Sequence, residues 1–113
     1  MCRLSERMMA MLKVFENDSV FTLSEYFSVV PRQYNGLAIS YYDKDLEVEV
    51  NAYLRFSSYA DTTPENFWPA WGRALAEVEA NDSTYCADLM RNHMRELAPK
   101  MREALRVYDQ QSL

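Results

Sequence analysis

The sequence predicts a single α+β domain, residues 1–113, made of an N-terminal helix, a small antiparallel β-meander of two to three strands and two to three C-terminal helices. Apolar residues alternate strictly with polar ones in the middle of the chain and recur at helical spacing at both ends. A length of 113 residues suffices for one hydrophobic core, and 49% hydrophobic with 26% charged residues is ordinary for a globular protein. We expect the C-terminal helices to pack on one face of the sheet.

Residues 4–16 carry apolar side chains every three or four positions, which predicts an amphipathic helix. Asn17 and Asp18 provide its end. The following segment, 19–30, has two interpretations. Its first half contains a Thr-Leu-Ser-Glu capping box typical of a short helix, and its second half has the composition of a strand. We expect a strand that begins near Tyr26.

Turn residues separate the predicted strands. Pro31 ends the first strand, and the Asn-Gly pair within residues 33–36 predicts a turn. Apolar residues then alternate over 37–42, and Asp43 with Lys44 forms the turn into the next strand. These signals predict a hairpin that is the centre of a three-stranded meander.

The clearest strand signal is the segment 45–57, where every second side chain is apolar. Such alternation predicts an antiparallel strand that is buried on one face and exposed to water on the other. The side chains predicted to face the core are Leu46, Val48, Val50, Ala52, Leu54 and Phe56. Those predicted to face solvent are Glu47, Glu49, Asn51, Tyr53 and Arg55.

Prolines and turn residues divide the helical half of the chain. Thr63 is the predicted N-cap of the next helix, and Pro64 is its first residue. Pro69 predicts either a kink or a short opening turn with a restart, and the Asn-Asp-Ser triplet at 81–83 predicts the junction with the last helix. Pro99 predicts a break or a bend in that last helix.

Charge is concentrated in the middle of the chain. The formal net charge is −5, and residues 43–90 hold ten acids and three bases, a net of −7, whereas residues 91–113 have a net charge of +2. An acidic protein with a pI near 4.8 lacks the electrostatic footprint of direct nucleic-acid binding. A basic stripe on the last helix still leaves a nucleic-acid-binding regulator as one alternative; it consists of Arg91, Arg95, Arg102 and Arg106.

No motif in the sequence indicates catalysis, a metal site or a cofactor. His93 is the only histidine, and it lies among methionines on the apolar side of a helix, so we interpret it as a packed side chain. Cys86 lies on the same helix, and nothing marks it as activated. Two glycines, Gly36 and Gly72, are too few for a glycine-rich phosphate loop. We therefore predict a protein that is not an enzyme and that needs no cofactor and no metal.

The predicted solvent face of the central strand is the candidate binding surface. It combines carboxylates with tyrosine, which interfaces favour because its ring adds contact area at small entropic cost. Glu47 and Glu49 would lie about 6.6 Å apart along the strand, close to twice the phosphate repeat of about 3.4 Å. This spacing suggests nucleic-acid mimicry, although solvated surface charge is the default interpretation of such a run. The residues predicted to bind a partner are Asp43, Asp45, Glu47, Glu49, Tyr42, Tyr53, Asp61, Glu65, Glu77 and Glu79.

These features favour a small acidic binding protein that inhibits or regulates a macromolecular partner, with nucleic-acid-handling complexes as natural targets. Its size and charge suit phage-encoded inhibitors such as anti-CRISPR proteins, or antitoxins and immunity proteins. An alternative is a structural homo-oligomer that associates through its aromatic and methionine-rich helices. The N-terminal segment has neither an uninterrupted apolar run nor a signal-peptide pattern, so we expect a cytoplasmic protein with no membrane contact.

Overall fold

The computed structural model describes residues 4–27, 34–57, 62–81 and 85–111. Three strands form one antiparallel sheet in the order β1, β2, β3, and the buried side chains of the helices form a single core with the sheet. This arrangement confirms the predicted α+β class. In chain order the elements are α1 (Glu6–Leu12), a 3-10 helix (Lys13–Asn17), β1 (Phe21–Phe27), β2 (Tyr34–Asp43), β3 (Val48–Ser57), α2 (Pro64–Asn81) and α3 (Tyr85–Gln111).

The predicted N-terminal helix is present in two parts. Ser5 caps α1, with its Oγ accepting a hydrogen bond from the backbone N–H of Met8 at 3.1 Å. After Leu12 the chain tightens into the 3-10 helix, which ends at Asn17 as the sequence predicts. The buried side chains of this segment, Met8 and Phe15 among them, join the core.

Strand β1 begins at Phe21, five residues before the predicted start near Tyr26, and the capping-box interpretation of residues 22–25 is wrong. Phe21 is buried and Leu23 is partly buried, whereas Thr22 and Ser24 are exposed, which is the period of a strand. Pairing with β2 satisfies the backbone over this whole stretch, so tertiary pairing overrides the local helix signal.

The predicted Asn-Gly turn is also wrong, because Asn35 and Gly36 lie inside β2. They pair with Phe56 and Arg55 of β3 on one side and with β1 on the other. The connection between β1 and β2, which includes Pro31, lies outside the described residues. The predicted three-stranded meander is confirmed, with β2 between β1 and β3.

Strand β3 begins at Val48, but the predicted alternation in burial holds only from Val50 onward, because Val48, which was predicted to face the core, is 38% exposed. The four inward residues Val50, Ala52, Leu54 and Phe56 are all buried. Leu46, which was predicted to face the core, is instead 55% exposed in the turn that precedes the strand. The predicted start of the strand at residue 45 is therefore wrong by three residues.

Both long helices continue through their internal prolines. α2 begins at Pro64, and the carbonyl of Thr63 accepts the backbone N–H of Phe67 at 2.8 Å, in agreement with the predicted N-cap. Pro69 lies inside α2 and Pro99 lies inside α3, so the predicted restart and break do not occur. Each proline removes one backbone hydrogen bond, but apolar residues buried on both sides of it stabilise the continuous helix.

The methionines fill the core. Burying each such side chain contributes about 1.5–3 kcal/mol. The methionine-rich contact surface expected of a homo-oligomer is therefore mostly inside the protein, and Met9, at 47% exposed, is the exception among the described methionines. The methionines with 0% exposure are Met8, Met11, Met90, Met94 and Met101.

Candidate interaction surface

The outer face of the β2–β3 hairpin, opposite the core, carries paired polar and aromatic side chains. Tyr42 lies opposite Glu49, and Ser40 lies opposite Asn51, with the Ser40 hydroxyl donating to Asn51 Oδ1 at 2.6 Å. Tyr53 follows on the same face, since alternate residues of a strand point to one side. We name this set of five residues the tyrosine face.

Both tyrosines of this face are open to solvent. Tyr42 is 56% exposed and Tyr53 is 40% exposed, which is high for such large aromatic side chains. The four inward residues of β3 pack against the helices, so the helices cover the opposite side of the sheet. The tyrosine face thus presents two aromatic rings and the carboxylate of Glu49 on a backbone fixed by pairing with its neighbours.

The turn between β2 and β3 is shaped by Asp43. Its Oδ1 accepts the backbone N–H groups of Asp45 at 3.0 Å and Leu46 at 2.9 Å, and its Oδ2 accepts the hydroxyl of Tyr41 at 3.2 Å. Burial and the nearby Asp43 carboxylate raise the pKa of the Tyr41 hydroxyl. Asp43 was predicted to contact a partner, but here its oxygens hold the turn.

Glu47 does not share a strand face with Glu49. It lies in the turn with φ of 53°, the left-handed conformation, whereas Glu49 is the second residue of β3. The strand spacing of about 6.6 Å on which the mimicry hypothesis depended is therefore absent. Asp45 and Glu47 are exposed at the tip of the hairpin, so they add negative charge beside the tyrosine face.

A groove of about 290 Å³ separates β3 from α2. Five consecutive residues of β3, 49–53, line it with Ala74, Glu77 and Val78, and a groove lined by consecutive strand residues lies at the edge of a sheet. Glu77 also accepts a hydrogen bond from Arg55 at 3.3 Å. The groove thus brings Glu77, predicted to bind a partner, next to Glu49 and Tyr53.

The other predicted acids lie elsewhere. Glu65, in the first turn of α2, contacts Arg7 at 3.3 Å, and hydrogen bonds from its own backbone N–H, from Thr63 and from Arg7 hold its pKa below the usual range. Twelve residues of helix, about 18 Å, separate it from Glu77. Glu79 pairs with Arg95 of α3. Asp61 lies outside the described residues.

His93 has a buried partner that the sequence did not predict. Its Nε2 lies 2.7 Å from Asp18 Oδ2, and its ring contacts Phe21 edge to face at 4.6 Å. Asp18 Oδ1 also accepts the backbone N–H groups of Val20 and Phe21, at 2.9 and 2.7 Å. Seventy-five positions separate Asp18 from His93, so no local pattern indicates the pair. The contact joins α3 to the start of β1, consistent with a packed histidine.

The arginines of the predicted basic stripe each have a partner within the chain. Arg91 contacts Asp88, Arg95 contacts Glu79, and Arg106 donates to Glu103 at 2.9 Å. The guanidinium of Arg102 lies 3.8 Å from the centre of the Trp68 ring, a cation–π contact. These contacts engage the cations that phosphate binding would require.

Among the described residues, no group of three or more histidines, cysteines or acids is placed to hold a metal ion. Cys86 is buried in the core. No described helix is both long and apolar enough to cross a membrane. No family model, no curated protein and no solved structure matches the chain.

Proposed function

We propose that this protein is a non-enzymatic binding protein that inhibits or regulates a macromolecular partner, and that the tyrosine face contacts that partner. One observation carries the proposal: two exposed tyrosines and an exposed carboxylate stand on a rigid hairpin face that the described helices leave open. Tyrosine rings on a fixed backbone give contact area with little loss of side-chain entropy.

The charge around this face indicates the chemistry of the partner. Glu49 lies on the face and Asp45 and Glu47 lie at the adjoining hairpin tip, while Glu77 at the groove is paired with Arg55. Complementary charge speeds association and selects among partners, so the partner should present arginine or lysine around an apolar centre. Proteins that handle nucleic acid carry such surfaces, which makes anti-CRISPR-like inhibitors, antitoxins and immunity proteins the classes to which we assign it.

The test is affinity capture with the wild-type protein and a Tyr42→Ser/Glu49→Arg double variant, followed by measurement of the dissociation constant with the purified partner. Both substitutions fall on exposed side chains, so the fold should persist and circular dichroism can verify it. We expect the double variant to bind at least about tenfold more weakly, a loss of about 1.4 kcal/mol.

A matched control removes the same two residue types from α3. Tyr85 is 67% exposed and Glu103 makes only an exposed ion pair with Arg106, so Tyr85→Ser/Glu103→Arg makes the same chemical and charge change at residues that do not belong to the tyrosine face. The control should bind like the wild type. Equal weakening by both variants would show that net charge, rather than the tyrosine face, determines binding.

A further inference from the structure

The groove of about 290 Å³ between β3 and α2, which we call the β3–α2 groove, follows the edge of a strand. Five consecutive residues of β3, 49–53, line it, so it runs beside about 14 Å of backbone. In the described part of the chain, β3 pairs with β2 only. The described backbone hydrogen bonds outside the helices and strands do not involve Val50, Asn51 or Ala52. This edge therefore presents backbone donors and acceptors to the groove.

The shape of the β3–α2 groove suits an extended peptide. Extended peptides bind strand edges by adding a strand, in which main-chain hydrogen bonds give affinity and pockets for alternate side chains give specificity. Strand β3 can accept such a strand, because it contains no proline and its one-to-one register with β2 has no bulge. The wall for the peptide's side chains is one side of α2, formed by Ala74, Glu77 and Val78.

The charge around the groove indicates which peptide it selects. Glu49 lines the end that adjoins the hairpin tip, and it is exposed. Residues 43–49 hold four acids and Lys44 as the one base, so this end has a net negative charge. Near the other end, Arg55 pairs with Glu77, which neutralises both charges. An arginine or lysine of the peptide beside Glu49 would therefore be attracted, whereas an acidic side chain there would be repelled.

We infer that the partner protein binds through an extended basic segment, which adds a fourth strand to the sheet along β3 and places an arginine or lysine beside Glu49. The inference rests on the proposed function, because Glu49, Asn51 and Tyr53 belong both to the groove and to the tyrosine face. A second copy of β3 is a poor occupant. It carries the same negative charge, and its own α2 lies along the edge that would have to pair.

The test is the binding of three acetylated and amidated heptapeptides, measured by calorimetry and by amide hydrogen exchange of the protein. The first peptide is Thr-Val-Arg-Val-Arg-Val-Thr. The second has glutamate in place of both arginines, and the third has proline in place of the central valine, which keeps the charge but disfavours a strand. We expect the first peptide to slow exchange at the outward amides of residues 50–52. The other two should bind at least about tenfold more weakly, a loss of about 1.4 kcal/mol each.

Three protein variants separate the groove from the rest of the tyrosine face. Glu77→Arg adds a positive charge to the groove wall outside the tyrosine face, and it should weaken binding of the first peptide at least about tenfold. Tyr42→Ser changes the tyrosine face at a residue that does not line the groove, so it should leave this binding unchanged. Glu103→Arg is the matched control for Glu77→Arg, because it also breaks an exposed ion pair with an arginine, Arg106. It should bind the peptide like the wild type.

Failure of the inference and failure of the proposed function give different results. Equal binding of the three peptides, or no slowing of exchange by the first peptide at millimolar concentration, overturns the inference. Weaker partner capture by the Tyr42→Ser/Glu49→Arg variant would still support the proposed function in that case. A first peptide that binds as expected should also displace the captured partner. If it binds but displaces nothing, the partner does not use the groove and the inference is overturned.

Discussion

Asp18 and Asp43 hold the backbone in the same way at two places in the fold. In each, Oδ1 accepts the N–H groups two and three residues later, at 2.9 and 2.7 Å for Asp18 and at 3.0 and 2.9 Å for Asp43. Their surroundings differ. The Asp18 side chain is 8% exposed and bonds to His93, whereas Asp43 bonds to Tyr41 beside the exposed tip of the hairpin.

This difference shows how one local motif serves two purposes. A hydrogen bond in a buried, low-dielectric place costs more to lose, because water cannot replace the missing partner. At Asp18 the motif therefore anchors β1 to α3 and the core. At Asp43 it shapes a turn whose exposed residues, Leu46 among them, stay available to a partner.

The largest expected effect is that of Asp18→Ala. The substitution leaves two backbone N–H groups and Nε2 of His93 without their acceptor, and we expect the free energy of unfolding to fall by about 2–4 kcal/mol. Asp43→Ala is the matched control and should cost about 1 kcal/mol, since water reaches the turn. Urea unfolding at neutral pH measures both. Equal losses in the free energy of unfolding would show that burial does not make the contacts of Asp18 more stabilising than those of Asp43.

The pH dependence of stability sharpens the comparison. Burial raises the pKa of Asp18, but the N–H of Phe21, His93 and the N–H of Val20 together outweigh burial and hold that pKa below its usual range. Its stabilisation is therefore full above the unfolded-state value of about 3.9 and is lost as the pH falls through the lower folded-state pKa.

An Asp18→Asn variant should be less stable than the wild type at neutral pH by about 1–2 kcal/mol, because the bonds no longer involve a charged acceptor. This difference should shrink below a pH of about 4 and vanish once the wild-type carboxyl is protonated. Urea unfolding of both proteins from neutral pH downward measures it. A difference that stays constant to the lowest pH would mean that the charge of Asp18 contributes nothing.

The sequence predicts elements where one local pattern and the tertiary environment agree. The alternation of apolar and polar residues predicts the buried positions from Val50 to Phe56 correctly, because every second side chain of that strand packs in the core. The same alternation wrongly placed Glu47 in the strand. Hydrogen bonds to Asp43 turn the chain before the strand begins, and the spacing of the apolar residues does not indicate these bonds. Pairing with β2 likewise overrode the capping box at Thr22.

The sequence predicts part of the candidate surface, namely the part where a local pattern and the tertiary environment agree. Neighbours along one strand, such as Glu49 and Tyr53, share a face whenever the strand forms. Contacts between residues of different elements depend on how those elements pack together. The spacing of apolar residues along the sequence does not determine that packing. Glu77 lies beside β3, whereas Glu65 of the same helix lies beside Arg7.

The smallest expected effect is at the tip of the hairpin, where Glu47 has φ of 53°. A side chain in this left-handed conformation costs about 1–2 kcal/mol, which glycine avoids because it has no Cβ. Glycine also gives the unfolded chain more freedom, which offsets about 0.4–1 kcal/mol of that gain. We expect Glu47→Gly to raise the free energy of unfolding by about 0.5 kcal/mol.

Asp45→Gly is the matched control, because it removes the same charge from the same turn at a residue without positive φ. At Asp45 glycine relieves no backbone strain and only gives the unfolded chain more freedom. The free energy of unfolding of this variant should therefore fall by about 0.5–1 kcal/mol. Urea unfolding measures both variants. The two substitutions remove the same charge but should change the free energy of unfolding in opposite directions. If both lose stability, the left-handed turn at Glu47 carries no strain, and the shape of the tip depends on the Asp43 carboxylate alone.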